Sequence, residues 1–154
     1  MSMKVIIPRN LFNTAKLERA IENALTGSAK AAKVDFDVTT QTWDRRPDFT
    51  IDSEPGKRTI STDNEIYGYV NDGTESHPIV AKNAPTLVFG VPFGAKTQVR
   101  VIGSGAGSRG TIIRRPKAIM HPGTVAREFD QVIKEKWDDL LPKTLQRSID
   151  SEVS

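Results

Sequence analysis

Polar and apolar positions alternate in two different periods along this chain, and each period marks out its own set of elements. Leu17, Ile21, Ala24, Leu25, Ser28 and Ala32 recur every three or four residues, the signature of a helix with one face of small and apolar groups. Asn13 suits its N-cap, because a short polar side chain there can accept from the free amides of the first turn. At the far end two readings compete. Phe36, Thr40 and Trp43 extend the helical stripe, whereas Val34, Phe36 and Val38 alternate like a strand. The reading adopted is a helix to about Thr40, closed before Pro47, which restricts the residue preceding it. A second helical pattern follows Thr124, a candidate cap, through Phe129, Val132, Ile133, Trp137, Leu140 and Leu141. Pro142 is expected to stop or kink it, with Leu145 and Ile149 in a last short piece and a frayed end from about residue 150.

Between the helices the chain reads as β. A short strand is also predicted at the N-terminus, Lys4 to Ile7. Phe49–Asp52 and Arg58–Thr62 flank Glu54-Pro55-Gly56-Lys57, where Pro then Gly fits a type II turn. Glu65 to Asn71 alternates around Ile66, Tyr67, Tyr69 and Val70 and breaks at Asn71-Asp72-Gly73. As a strand it would put Tyr67 and Tyr69 on one face and Val70 on the other. Thr86–Phe89, Thr97–Ile102 and Thr111–Arg115 complete the strands, the last two reading as a long hairpin with a mobile glycine tip at Gly103–Gly110. The expectation is one α+β domain over residues 1–154. It consists of a mainly antiparallel twisted sheet packed by a long N-terminal helix and a C-terminal helix, with a projecting β-hairpin arm at about residues 96–116.

Composition narrows the function. The 154 residues are 37% hydrophobic and 27% charged, enough for one ordinary core. No apolar run approaches the roughly 20 residues of a membrane span, and Met1 to Arg9 lacks the apolar middle of a secretory signal, so synthesis and retention in a cytoplasm are expected. The absence of Cys excludes disulfides, thiolate nucleophiles and cysteine-ligated metal centres.

Charge is the more telling feature. Ser76 to Arg127 holds Lys82, Lys96, Arg100, Arg109, Arg114, Arg115, Lys117 and Arg127 and no acid at all. The remaining 14 basic residues face all 19 acids, a net −5 beside +8, which gives the overall +3. Such a split suits a polyanion or an acidic protein surface, although the same cations could simply solvate an exposed hairpin.

Catalytic patterns do not emerge. Gly105-Ala106-Gly107-Ser108-Arg109-Gly110 matches GxGxxG but is followed by β-branched Thr111, Ile112 and Ile113, not by the helix a dinucleotide site requires. His77 and His121 each precede Pro and have no second ligand at helical spacing. There is no Gly-x-Ser-x-Gly elbow, and adjacent Asp138 and Asp139 would diverge on a helix. No catalytic, cofactor-binding or metal-ligating residue is expected. Nor is there a helix-turn-helix or an aromatic-interleaved basic tract, which argues against sequence-specific or single-strand nucleic-acid reading.

Two segments resemble a known family. Ile66-Tyr67-Gly68-Tyr69-Val70-Asn71-Asp72-Gly73-Thr74 is similar to the Tyr-x-x-Tyr-Val-x-x-Gly-Thr stretch of the minor tail component, or tail-completion, proteins of long-tailed bacteriophages. Met120-His121-Pro122-Gly123-Thr124-Val125-Ala126-Arg127-Glu128-Phe129 resembles their second signature, a loop ending in Ala-Arg-x-Phe. Arg46-Pro47-Asp48-Phe49 departs from the Pro-x-x-Thr-Gly segment common in that family.

The resemblance implies a structural virion protein, made in the host cytoplasm and located in the tail or neck. It would be a head–tail joining component without catalysis or cofactor, assembling as a ring, expected to be hexameric, around the DNA channel. Its implied partners are copies of itself, a tail terminator or tail tube protein and the head–tail connector, with genomic DNA as a further, non-specific one, and no membrane. A tail terminator capping the tube is the alternative role, and a non-specific DNA-binding module the alternative from another class. The motif residues Tyr67, Tyr69, Gly73, Thr74, Pro122, Gly123, Arg127 and Phe129, and the basic residues Arg100, Arg109, Arg114, Arg115 and Lys117, are the candidates for turn geometry and for subunit or DNA contact.

Overall fold

The structure, a computed structural model, describes residues 13–91, 94–108 and 110–153. The strand expected at Lys4 to Ile7 lies outside the described residues. The fold is α+β: two long helices pack along each other, the first of them also on a β-hairpin, and a two-stranded ribbon is built from the middle of the chain.

Helix α1 spans Thr14–Thr40, and the side chain of Asn13 caps it by accepting from the Lys16 amide. The 34–38 segment is helical, so the three-to-four spacing prevails over the local alternation. Ala20, Ala24, Ser28, Ala29 and Ala32 are buried along one face. Strands β1 (Thr50–Glu54) and β2 (Lys57–Ser61) pair as expected around Gly56, whose φ of 70° is the left-handed conformation of a type II turn. Ile51 and Ile60 face each other in this hairpin, which packs on α1. The turn is tied to the helix, because Glu22 accepts from the Gly56 amide and from Arg58.

The predicted strand over 65–71 is instead helix α2, Glu65–Asp72. Its boundaries explain the difference. Asn64 caps the start by accepting from the Tyr67 amide at 2.9 Å, and Gly73 ends it at a φ of 77° and ψ of 177°, a region that belongs essentially to glycine. Tyr67 is therefore buried with Val70 half-buried beside it, while Tyr69 points outward and is 56% exposed.

The single sheet expected from the sequence divides into three two-stranded antiparallel ladders among the described residues. Besides β1–β2, strand β3 (His77–Val80) pairs with β6 (Ala118–His121), and β4 (Leu87–Val91) with β5 (Thr111–Arg115). These two are successive parts of one ribbon. Single bridges Thr74↔Thr124 and Gly94↔Ser108 close its ends, and a break occurs where residues 81–86 face only 116–117. The partner of Thr111–Arg115 is thus Leu87–Val91 and not Thr97–Ile102, which forms no strand. Arg100 there has a φ of 55° and donates its amide to the Arg127 carbonyl, which holds the segment against the entry to the last helix.

Helix α3 runs from Phe129 to Val153 with Pro142 inside it. Pro142 removes one amide donor yet does not end the helix, so Leu145 and Ile149 belong to the same helix and not to a separate piece. Thr124 is not its cap, because that residue is engaged with Thr74.

The core lies where these elements converge. Phe49, Tyr67 and Phe129, the last only 1% exposed, form its buried centre, with Phe36, Trp43, Ile60 and Val70 packed around them. Ring centroids stand 5.0 to 6.4 Å apart in tilted and edge-on arrangements that suit aromatic quadrupoles. Asp35 ties α1 to α3 by accepting from Trp137 Nε1 at 2.9 Å and from Lys136. No helix among the described residues is long and apolar enough to cross a membrane.

Candidate functional site

The two motif segments, about fifty residues apart in sequence, close on one another at the root of the ribbon. Thr74 and Thr124 exchange backbone hydrogen bonds, and the Thr124 amide also donates to Thr74 Oγ1 at 3.0 Å. The approach is too close for side chains. A Cβ on Gly73 would lie 2.6 Å from the Thr124 carbonyl oxygen and 2.8 Å from the Ala126 nitrogen, and one on Gly123, at a φ of 93°, would overlap the Thr74 carbonyl oxygen. Both glycines are therefore required by contact as well as by backbone conformation.

Asn71 holds the other side of this joint. It is buried, its carbonyl accepts from the Arg127 and Glu128 amides, and its side-chain oxygen accepts from the Asp130 amide at 3.2 Å. Asn71 thus caps α3 from a different helix, a role that no local spacing in the sequence reveals. Tyr67 and Phe129, one from each motif, pack 6.1 Å apart in the core beneath. The Tyr67 hydroxyl is buried with no hydrogen-bond partner among the described residues, and its burial, reinforced by the Asp130 and Asp72 carboxylates, pushes the phenol well above its usual range. Of the motif residues, Tyr67, Gly73, Thr74, Gly123 and Phe129 build the joint, while Tyr69 and Pro122 lie at the surface.

The structure sorts the basic stretch into three groups. Lys96 and Arg100 are consumed internally. Lys96 donates to the Thr42 carbonyl and to Asp44, and Arg100 pairs with Glu128 at 2.8 Å and Glu135 at 2.7 Å. The hydrogen bonds that Arg100 donates to Glu128 and Glu135 raise its pKa, and Arg100 in turn holds the Glu135 carboxyl below its ordinary value. Arg100 is thus a clamp between the 97–103 segment and α3. Lys82, Arg114, Arg115 and Lys117 form the second group: they are exposed on the ribbon and make no ion pair among the described residues. Arg127 stands apart, half-buried. Arg109 lies outside the described residues.

The glycine segment is docked over 103–105. The Gly103 amide donates to Thr39 Oγ1 at 3.2 Å, Ser104 Oγ donates to the Val38 carbonyl, and Thr42 Oγ1 donates to the Gly105 carbonyl at 2.7 Å. It therefore caps the C-terminal end of α1, where orphan carbonyls need donors.

Arg127 lines an open groove of about 530 Å³ with Trp43, Ile66, Val70, Thr124 and Lys96. No carboxylate–histidine or nucleophile–base arrangement converges there. His77 and His121 face each other across β3–β6 with ring centroids 5.1 Å apart. The Nδ1 of His77 lies 2.9 Å from the Glu75 carbonyl, and that of His121 accepts from the Gly123 amide. Among the described residues no group of three or more His, Asp or Glu gathers in a way that could hold a metal ion.

Compared with protein-family models, with curated proteins and with solved structures, the chain matches none of them.

Proposed function

We propose that this chain is a non-enzymatic assembly subunit of a tailed-phage virion, a tail-completion component at the head–tail junction that closes into a hexameric ring around the DNA channel. The observation that carries the reading is the joint itself. The two segments resembling the tail-completion signatures meet residue against residue, and together they root a ribbon whose exposed cations Lys82, Arg114, Arg115 and Lys117 make no ion pair among the described residues. A ring needs two different complementary patches per subunit, and a basic ribbon on an otherwise acidic chain supplies opposite charges for them. Its neighbours would be the tail tube or terminator protein on one side and the connector on the other.

A second reading, a non-specific duplex-DNA module, is favoured by the same four unpaired cations on a two-stranded ribbon, a shape that a major groove can admit. Electron microscopy of the purified chain at high concentration, alongside a duplex-DNA titration at rising salt, separates the two. The assembly reading expects annular particles and weak DNA binding by the lone subunit. Tight binding at low salt with a steep salt slope and no annular particles overturns it in favour of the DNA module.

A further inference from the structure

We infer that the outer face of the ribbon in one copy docks on the acidic groove at the open end of the β1–β2 hairpin in the next, a head-to-tail contact between two unlike surfaces. The inference rests on the assembly reading above and names the surfaces that would carry it.

The ribbon face is unusual for a free surface. Along β5 and β6 the alternate residues Ile112, Arg114, Ala118 and Met120 are all exposed, whereas Ile113, Ile119 and His121 between them are half-buried. Val88 stands opposite Arg114, and Val80 opposite Ala118. The result is a strip of large apolar groups exposed to 75% at Ile112, 66% at Met120, 57% at Val88 and 52% at Val80, with the cation Arg114 on the same face, Arg115 exposed on the other side of β5 and Lys117 exposed in the break between the ladders. Contiguous apolar groups rimmed by charge mark a surface that another macromolecule covers. Phosphates would reward the cations but gain nothing from Ile112 or Met120, so a protein partner fits this face better than DNA does.

The same chain offers the complementary surface. Asp48 and Asp63 line one open groove of about 380 Å³ with Thr50 and Thr62. Asp52 follows on β1, and Glu65 opens α2. All four carboxylates are exposed, and none makes an ion pair among the described residues. Arg46 is the one basic residue lining that groove, and its Nε is committed to the Gln41 carbonyl. A two-fold contact of ribbon on ribbon would set cations against cations, so the charge pattern selects the head-to-tail arrangement.

The absence of cysteine makes the test clean. Ile112→Cys and Thr50→Cys would be combined in one chain and treated with a short bismaleimide. The expected product is a ladder of dimers, trimers and larger species. An equimolar mixture of the two single variants should give dimers only, and neither single variant alone should crosslink. Adding Arg114→Glu with Arg115→Glu, or Asp48→Lys with Asp63→Lys, should lower the crosslinked fraction by roughly tenfold or more, and mixing the two reversed chains should restore it. Circular dichroism of each variant separates lost docking from lost folding, and Arg114→Lys should crosslink like the parent.

Oligomers that survive both charge reversals overturn this interface and leave the assembly reading standing, as does self-crosslinking of Ile112→Cys alone. A chain that stays monomeric and uncrosslinked at every concentration overturns both. Duplex-DNA binding that vanishes in the Arg114→Glu, Arg115→Glu chain, with no crosslinking of the parent, overturns docking in favour of a nucleic-acid face.

Discussion

Thr74 and Thr124 donate to each other's carbonyls at 2.9 and 3.0 Å, a single bridge that joins the end of α2 to the strand returning from the ribbon. Two glycines permit that approach, and their replacement measures what the joint contributes. Gly73→Ala and Gly123→Ala are each expected to destabilise the fold by roughly 2–4 kcal/mol, from a disfavoured backbone conformation plus backbone contact. Gly68→Ala, inside α2 with open space around it, should cost little or stabilise. Urea unfolding of the three variants checks the contrast.

Tyr67 gives a prediction of opposite sign. Its buried hydroxyl has no hydrogen-bond partner among the described residues, so Tyr67→Phe should leave stability unchanged or raise it by about 1 kcal/mol. The pH dependence follows from the raised pKa. Below about pH 10 the phenol is protonated in both folded and unfolded chains, but above it the unfolded chain ionises first and the folded state loses ground. Stability of the parent should therefore decline as pH rises past 10. The part of that decline due to Tyr67 should be missing in Tyr67→Phe, as read by melting temperature across pH 8 to 11.

The Arg100 clamp should fail in acid. Arg100 and Gln131 hold Glu135 below its ordinary value of 4.5, so the stabilisation is present above that value and is lost as pH falls through the lower folded one. Hydrogen-exchange protection at the Arg100 amide, which donates to the Arg127 carbonyl, should fall across that window ahead of protection in α1. Glu135→Gln should remove much of that pH dependence.

Thr39 is fully buried, donating to the Asp35 carbonyl at 2.7 Å and accepting from Gly103. Thr39→Val leaves that amide without its acceptor and should cost roughly 1–2 kcal/mol. Deleting Gly103–Gly110 should likewise destabilise the fold, since it removes the donors that finish α1. A freely mobile tip would be dispensable, and thermal melts of both variants decide the matter.

These outcomes reflect how unevenly the fold is written in the sequence. The two long helices were legible because their apolar stripes are long, and the β1–β2 hairpin because Pro55-Gly56 demands one kind of turn. Helix α2 was not, because Ile66, Tyr67, Tyr69 and Val70 favour strands and only the caps Asn64 and Gly73 decide otherwise over so short a span. Thr97–Ile102 reads as a strand by composition, yet its tie to Arg127, Glu128 and Glu135 is set by residues far away in sequence. For the same reason the sequence marked Gly73, Thr74 and Gly123 as turn residues but could not show that they touch, and it missed Asn71 as the cap of α3. The run of basic residues was visible, but which of them remain free depended on tertiary ion pairs.

Light scattering across a salt series tests the central claim most directly. At low salt and high concentration the 17.0 kDa chain should give a multi-copy mass, about 102 kDa for six. That mass should fall as salt rises and screens the opposed faces, and fall likewise in the Arg114→Glu, Arg115→Glu variant. A mass of 17.0 kDa at every salt and concentration, with the chain instead binding duplex DNA tightly, would contradict it.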